Sequence, residues 1–294
     1  MKENHTEPNP PIWFGSAFLF IEQGGLSMKS VKLIVTLLLA LFVILPGVAS
    51  ADTLDDILDR GALRVGLEPG YMPFEMTNQR GEIIGFDVDM AKRMAKAMNV
   101  KLELVSTAWD GIIPGLITKK YDIIMSGMTL TQERNLKVNF ASPYIVVGQT
   151  ILIKKEYQDQ VKSYKDLNDP KYKVASKLGT TGEQAVKRMI PKATYVSFDT
   201  EQEGVMDLIN GKVDAFVYDL PFMAIANAQK NNGKLVFLDK PFTYEPLAWA
   251  INRGNSDLLN WLNNFMNQIK SDGTYDKIYE KWFLSNDWLK QVQN

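Results

Sequence analysis

The chain has 294 residues, 46% hydrophobic and 23% charged, the balance of a globular protein with room for two ordinary domains. Its formal net charge of −1 argues against nucleic acid or a bulk membrane surface as a partner. It has no cysteine, and its one histidine, His5, precedes every folded pattern described below. Disulfides, thiolate or histidine catalysis and most zinc or copper sites are thereby excluded.

Residues 1–27 carry no interpretable pattern and read as an upstream extension, most simply a start site assigned too early. From Met28, "MKSVKLIVTLLLALFVILPGVASA" joins Lys29 and Lys32 to an apolar run, Leu33 to Leu45, then Pro46 and small residues ending in Ala49-Ser50-Ala51. That order predicts a signal peptide over 28–51 and a mature start at Asp52; the apolar run is short for a membrane anchor. With no cysteine at the cleavage point to carry a lipid, a free periplasmic protein is expected.

From Asp52 the pattern alternates strand and helix. "LRVGL" (63–67) predicts a buried strand. "GFDVDMAKRMAKAM" (85–98) predicts a helix with Val88, Ala91, Met94, Ala95 and Met98 on one face and Asp87 as N-cap. These methionines read as core filler. Strand "KLELVST" (101–107), short helix "WDGIIPGLITKK" (109–120) and strand "YDIIM" (121–125) follow. A second unit repeats the scheme: strand "KVASKL" (173–178), helix "TTGEQAVKRMI", strand "TYVSF" (194–198), helix "TEQEGVMDLINGK" and strand "DAFVYD" (214–219).

The segments "LITKKYDIIMS" (116–126) and "LINGKVDAFVY" (208–218) look alike, as equivalent positions in two α/β lobes. Two extended runs, "NFASPYIVVGQTILIKK" and "LVFLDKPFTYEPLAWAIN", predict a hinge crossed twice. Lobe 1 is then 52–147 plus 244–294, and lobe 2 is 148–243. The amphipathic tail, with Leu258, Leu259, Leu262, Phe265, Met266 and Ile269 on one side, is expected to pack on lobe 1. Alternating strands and helices imply mainly parallel sheets, whose ligands sit beyond the carboxyl ends of the strands.

Three segments carry recognisable chemistry. "SGMTLTQER" (126–134) leaves the strand "YDIIM" with a glycine, two threonine hydroxyls (Thr129, Thr131) and Arg134, whose planar fork matches a carboxylate. The same arginine could instead pair with Glu133 or Asp110. Gly179-Thr-Thr-Gly182 lies between a strand and a helix, where free N–H groups welcome an anion or simply take a threonine cap. It lacks the following Gly-Lys-Ser/Thr of a phosphate loop. Asp219 ends a buried strand and needs either a partner or a capping role.

Taken in order, "VGLEPGYMPFEM" (65–76), "GFDVDMAKRMA" (85–95), "WDGIIPGL" (109–116), "SGMTLTQERN" (126–135), "KLGTTGEQ" (177–184) and "VYDLP" (217–221) resemble the periplasmic solute-binding proteins of polar amino-acid ABC transporters, bacterial extracellular solute-binding protein family 3. The resemblance covers nearly the whole chain from Asp52. It implies a two-lobed α/β fold of the Venus-flytrap kind, each lobe a mainly parallel sheet flanked by helices. It further implies a monomer that captures a free amino acid for an inner-membrane ABC permease, with no catalysis, cofactor, metal or nucleic acid.

Carried over by position, Arg134 would hold the ligand α-carboxylate. Gly127 and Thr129, with Met128 between them, would meet the carboxylate or the α-ammonium, and Thr180 and Thr181 would flank the carboxylate from the other side. Asp219 would take the α-ammonium. Tyr71 and Trp109 would wall the side chain, and Glu68 would meet its end, while Phe74 reads as core. An acid beside aromatic walls favours a cationic chain, lysine or arginine. Glu245 is a candidate second acid or a hinge residue. The alternative is a cyclohexadienyl (prephenate or arogenate) dehydratase on the same scaffold, with Glu68 or Glu245 as the proton donor.

Overall fold

The computed structural model describes residues 53–292, so the predicted signal peptide (28–51) and the upstream extension (1–27) lie outside the described residues. Helix α1 (Thr53–Arg60) leads into β1 (Ala62–Leu67), whose burial on both faces accounts for its near-continuous apolar sequence. A small hairpin of β2 (Met76–Thr77) and β3 (Ile83–Ile84) precedes α2 (Phe86–Ala97). Then come β4 (Lys101–Ser106), α3 (Trp109–Ile117), β5 (Ile123–Ile124) and one turn of helix, α4 (Gln132–Asn135).

The chain continues through β6 (Asn139–Phe140), β7 (Ile145–Val147) and β8 (Gln149–Lys154). The second unit is β9 (Lys173–Lys177), α5 (Thr181–Met189), β10 (Thr194–Phe198), α6 (Glu201–Ile209), β11 (Ala215–Asp219), α7 (Leu220–Lys230) and β12 (Leu235–Leu238). The return passes through β13 (Glu245–Leu247) and β14 (Ala250–Ile251) to α8 (Ser256–Ser271) and α9 (Thr274–Tyr279).

Two five-stranded sheets result, ordered β4-β1-β5-β14-β6 and β10-β9-β11-β8-β12. Each has a parallel core of three strands: β1 with β4 and β5, and β9 with β10 and β11. The other two strands of each sheet are antiparallel and come from the runs that read as connectors. Between the sheets those runs pair with each other, β7 against β13, in the register Glu245↔Val147 to Leu247↔Ile145. The chain therefore crosses twice from lobe to lobe, and the two crossings are hydrogen-bonded to one another.

The likeness of segments 116–126 and 208–218 has a structural basis. Lys119 and Gly211 occupy equivalent turns after α3 and α6, both with positive φ, 58° and 77°. Three residues on, Asp122 accepts the N–H of Arg64 and Asp214 accepts the N–H of Lys173, each at 2.8 Å. Each carboxylate thus anchors the start of its central parallel strand. A basic side chain answers each: Arg64 at 2.8 Å from Asp122, Lys154 at 2.6 Å from Asp214.

Helix α8 buries Leu258, Leu262, Phe265, Met266 and Ile269 in the same apolar cluster as Leu63, Val65 and Leu67 of β1. One expectation is corrected. Asp87 is not an N-cap, because α2 begins one residue earlier with Gly85 at the cap. Its carboxylate turns inward, fully buried, and accepts the Gly127 N–H at 2.8 Å and the Tyr144 hydroxyl at 3.0 Å. Thus α2 holds the loop that leaves β5. Met90, Met94 and Met98 are buried as core.

Candidate functional site

At the carboxyl ends of the parallel strands, loops of both lobes meet around a small cavity of about 20 Å³. Nine of the ten residues proposed from sequence line it: Glu68, Tyr71, Trp109, Gly127, Thr129 and Arg134 from lobe 1, and Thr180, Thr181 and Asp219 from lobe 2. Met128 does not. Its side chain packs with Ile112, Leu116 and Tyr121 beneath the loop. Glu245 and Phe74 are also absent from the lining; Glu245 is buried on β13, and the Phe74 ring packs at a tilt against Tyr71, with centroids 4.6 Å apart.

Arg134 is almost wholly buried, on the α4 turn that Thr131 caps by accepting its backbone N–H at 3.1 Å. One guanidinium N–H donates to the Thr129 carbonyl at 2.9 Å and another, across the lobes, to the Gly179 carbonyl at 3.2 Å. Burial lowers its pKa, opposed by the charges of Glu245 and Asp219. Even so, it forms no ion pair with a carboxylate among the described residues. Neutral acceptors position a cation whose charge they do not cancel.

Asp219 ends β11 and opens α7, but its side chain caps nothing. Its carboxylate accepts the Tyr71 hydroxyl at 2.6 Å from the other lobe and the Gln149 amide at 2.5 Å from β8. Burial pushes its pKa up to about 7; Glu245 adds to the rise, and the Tyr71 hydrogen bond and Arg134 oppose it. Only neutral donors meet this buried carboxylate among the described residues.

Thr180 caps α5 and donates its hydroxyl to the Lys177 carbonyl at 2.7 Å. The Thr181 hydroxyl accepts from Gln149 at 3.3 Å and faces the Thr129 hydroxyl at 3.5 Å across the cleft. Gly127 has φ +52°, and a Cβ there would stand 2.2 Å from the Tyr71 ring. Its glycine therefore admits Tyr71, and its N–H is already taken by Asp87. The resemblance implies that Gly127 meets the ligand carboxylate or α-ammonium; here its N–H is engaged by Asp87, although the residue lines the cavity.

At the far end of the cavity Glu68 accepts the Trp109 N–H at 3.2 Å and binds the Lys177 ammonium of lobe 2. Lys177, 2% exposed, also binds Glu201 at 3.1 Å, and Glu201 accepts the Tyr218 hydroxyl at 2.9 Å. Burial raises the Glu68 pKa, and Lys177 opposes the rise. The Trp109 ring stands 5.3 Å from the Arg134 guanidinium and 5.9 Å from the Lys177 ammonium, and its N–H donates to Gly179 at 3.0 Å. This is a cation-tolerant wall.

Five lining residues were not anticipated: Glu75, Ser126, Gln149, Glu201 and Tyr218. Glu75, Ser126 and Tyr218 sit inside motifs that carry the resemblance. Glu201 was hidden by a capping pattern, Thr200 to Glu203, that accounts for the helix start without it. Glu75 accepts the Ser126 hydroxyl at 2.7 Å; burial and neighbouring Asp87 push its carboxyl well above the usual range, favouring the neutral form.

Residues 63–285 match the family model of bacterial extracellular solute-binding proteins, family 3. A protein of Wolinella succinogenes DSM 1740, attributed to an ABC transporter as its binding component and solved in complex with lysine, is 58% identical. It covers 79% of this chain and 99% of its own, with a TM-score of 0.76. AncCDT-1, an ancestral amino acid-binding protein and a precursor of cyclohexadienyl dehydratase, is 51% identical over 79% of this chain and 99% of its own, with a TM-score of 0.74. The L-cystine-binding protein TcyJ of Escherichia coli (strain K12) is 32% identical over 235 residues, 80% of this chain and 87% of its own. With the family model and these relatives each spanning most of the chain, the chain belongs to the bacterial extracellular solute-binding proteins, family 3.

Proposed function

We propose that the protein captures a basic L-amino acid, lysine or arginine, in the periplasm and delivers it to an ABC permease by closing its two lobes around the ligand. In this reading Arg134 holds the α-carboxylate, with Thr129, Thr180 and Thr181 beside it. Asp219 holds the α-ammonium, and Trp109 and Tyr71 enclose the side chain. The lobes divide after Val147 and before Tyr244, the signal peptide is removed before Asp52, and the protein works as a monomer without cofactor or metal.

One observation carries the reading: a buried cation from lobe 1 and a buried carboxylate from lobe 2, neither in an ion pair among the described residues, line the same cavity. A zwitterion satisfies both only when the lobes meet, so occupancy and closure are linked. The carboxylates of Glu68 and Glu201 at the far end favour a positive side chain. The lysine bound by the 58% identical Wolinella protein supports that preference, whereas the cystine specificity of TcyJ marks how far relatives diverge.

Charge-assisted hydrogen bonds contribute roughly 1.5–3 kcal/mol each, so several of them sustain micromolar binding, about −8 kcal/mol, after ordering costs. The test is a thermal-shift screen of the twenty amino acids followed by calorimetry. Lysine or arginine should raise Tm most, because a ligand that binds only the native state stabilises it; no shift with any amino acid would remove the reading. The dehydratase alternative draws on AncCDT-1 and on Glu75, an acid whose burial favours its proton. Incubation with prephenate or arogenate should leave both unchanged, and sustained aromatic product would replace transport with catalysis.

A further inference from the structure

Glu68 and Glu201, which line the cavity, share a charge that belongs to the protein itself. Lys177 leaves the last position of β9 and is buried to 2% exposure, with its ammonium bound to Glu68 from lobe 1 and to Glu201 from lobe 2. Glu201 is 1% exposed, lines the cavity, and opens α6 where that helix meets Gly70 of lobe 1; its neighbour Gln202 donates to the Gly70 carbonyl at 2.8 Å. Two carboxylates and one ammonium therefore form one cluster, with Lys177 and Glu201 buried and Glu68 partly exposed.

From this geometry we infer that Lys177 is a built-in counter-ion for one of the two distal carboxylates, and that Glu201 is the residue whose charge selects a cationic ligand side chain. The inference rests on the reading of the site as one for a basic amino acid, and it goes beyond the assignment of that selectivity to Glu68 alone.

The reasoning is electrostatic. Glu68 by itself would be neutralised by Lys177, leaving nothing to attract a second cation. Adding Glu201 leaves one net negative charge, which a single lysine or arginine side chain cancels. Inside a low-dielectric compartment such an imbalance has far more effect than in water. The two carboxylates then alternate with two cations, one from the chain and one from the ligand. Other groups face the cluster: Tyr218 donates to Glu201, Trp109 donates to Glu68, and Glu75 and Asp219 lie along the same cavity. Of these, Glu75 favours its neutral form and Asp219 is balanced by the ligand ammonium, while Arg134 on the same cavity is balanced by the ligand carboxylate.

Lysine and norleucine, which share a straight four-carbon chain but differ by the terminal ammonium, give the readout. Their affinities are measured by calorimetry on the full mature chain, with thermal unfolding as the fold control. Glu201→Gln should lower the lysine preference over norleucine at least about tenfold, the least expected when a hydrogen bond to a charged group is lost. Adding Lys177→Met to it restores the single negative charge and should recover most of the preference, which a merely structural role for either residue would not do. Lys177→Met alone leaves both carboxylates and should hold or raise the preference.

The inference is overturned if Glu201→Gln keeps the wild-type preference, if the double variant shows no recovery, or if Lys177→Met alone loses the preference. If the wild-type protein itself fails to prefer lysine to norleucine, the basic-ligand reading falls as well; the wild-type measurement therefore separates the two failures.

Discussion

Asp219 should make ligand capture depend on pH in a direction fixed by its surroundings. Burial pushes its carboxyl up to about 7, so near neutrality the ligand-free site divides between a proton and an anion. The ligand α-ammonium needs the anion and, once bound, pulls the pKa down. Protons therefore compete with the ligand below pH 7 and not above it. Affinity should be level above about pH 8, about tenfold lower at pH 6 and about a hundredfold lower at pH 5, one decade per unit below the midpoint. Calorimetry in buffers of different ionisation enthalpy would register proton release at pH 6 and little at pH 8. Asp219→Asn should bind weakly and lose this slope. Asp87, whose pKa burial also raises to about 7, does not line the cavity, so the variant distinguishes the two carboxyls. A wild-type affinity unchanged from pH 5.5 to pH 8, or a slope that survives in Asp219→Asn, would refute the reasoning.

Three further outcomes are expected. Arg134→Lys keeps the charge but loses the fork and the reach to Gly179, and calorimetry should show an amino-acid affinity at least about tenfold weaker with the circular dichroism spectrum intact. Tyr71→Phe removes the 2.6 Å hydrogen bond that lowers the Asp219 pKa, so the midpoint of the pH–affinity curve should move above its wild-type position. Gly127→Ala places a methyl group 2.2 Å from the Tyr71 ring at a φ of +52°, and a loss of about 1–3 kcal/mol should appear as a lower Tm in thermal unfolding.

Much of this architecture is legible in the sequence because parallel strands buried on both faces leave apolar runs, and "LRVGL" and "DAFVYD" match β1 and β11 within a residue, while the half-exposed edge strand β10 coincides with "TYVSF". The connectors were read as extended but not as strands of either sheet. Their partners lie far away in sequence, as in Asp219↔Gln149 and Ala250↔Phe140, and nothing local encodes that pairing. Asp87 was misplaced because an acid near a helix start resembles a cap, and only the fold reveals that it reaches the loop at Gly127.

The site divides in the same way. Arg134, Asp219 and the two threonines are announced by motif, and nine of the ten proposed residues line one cavity. What escaped is the charge pairing at its far end. A lysine in a buried strand and a glutamate in a helix's first turn each have an ordinary local explanation, and their meeting with Glu68 requires both lobes.

A crystal structure of the mature chain with lysine bound tests the central claim most directly. It should show the ligand carboxylate on the Arg134 fork, the α-ammonium on Asp219 from the opposite lobe, and the side-chain ammonium between Glu68 and Glu201. A bound ligand that leaves Arg134 on the Thr129 and Gly179 carbonyls alone, and Asp219 on Tyr71 and Gln149 alone, would contradict it.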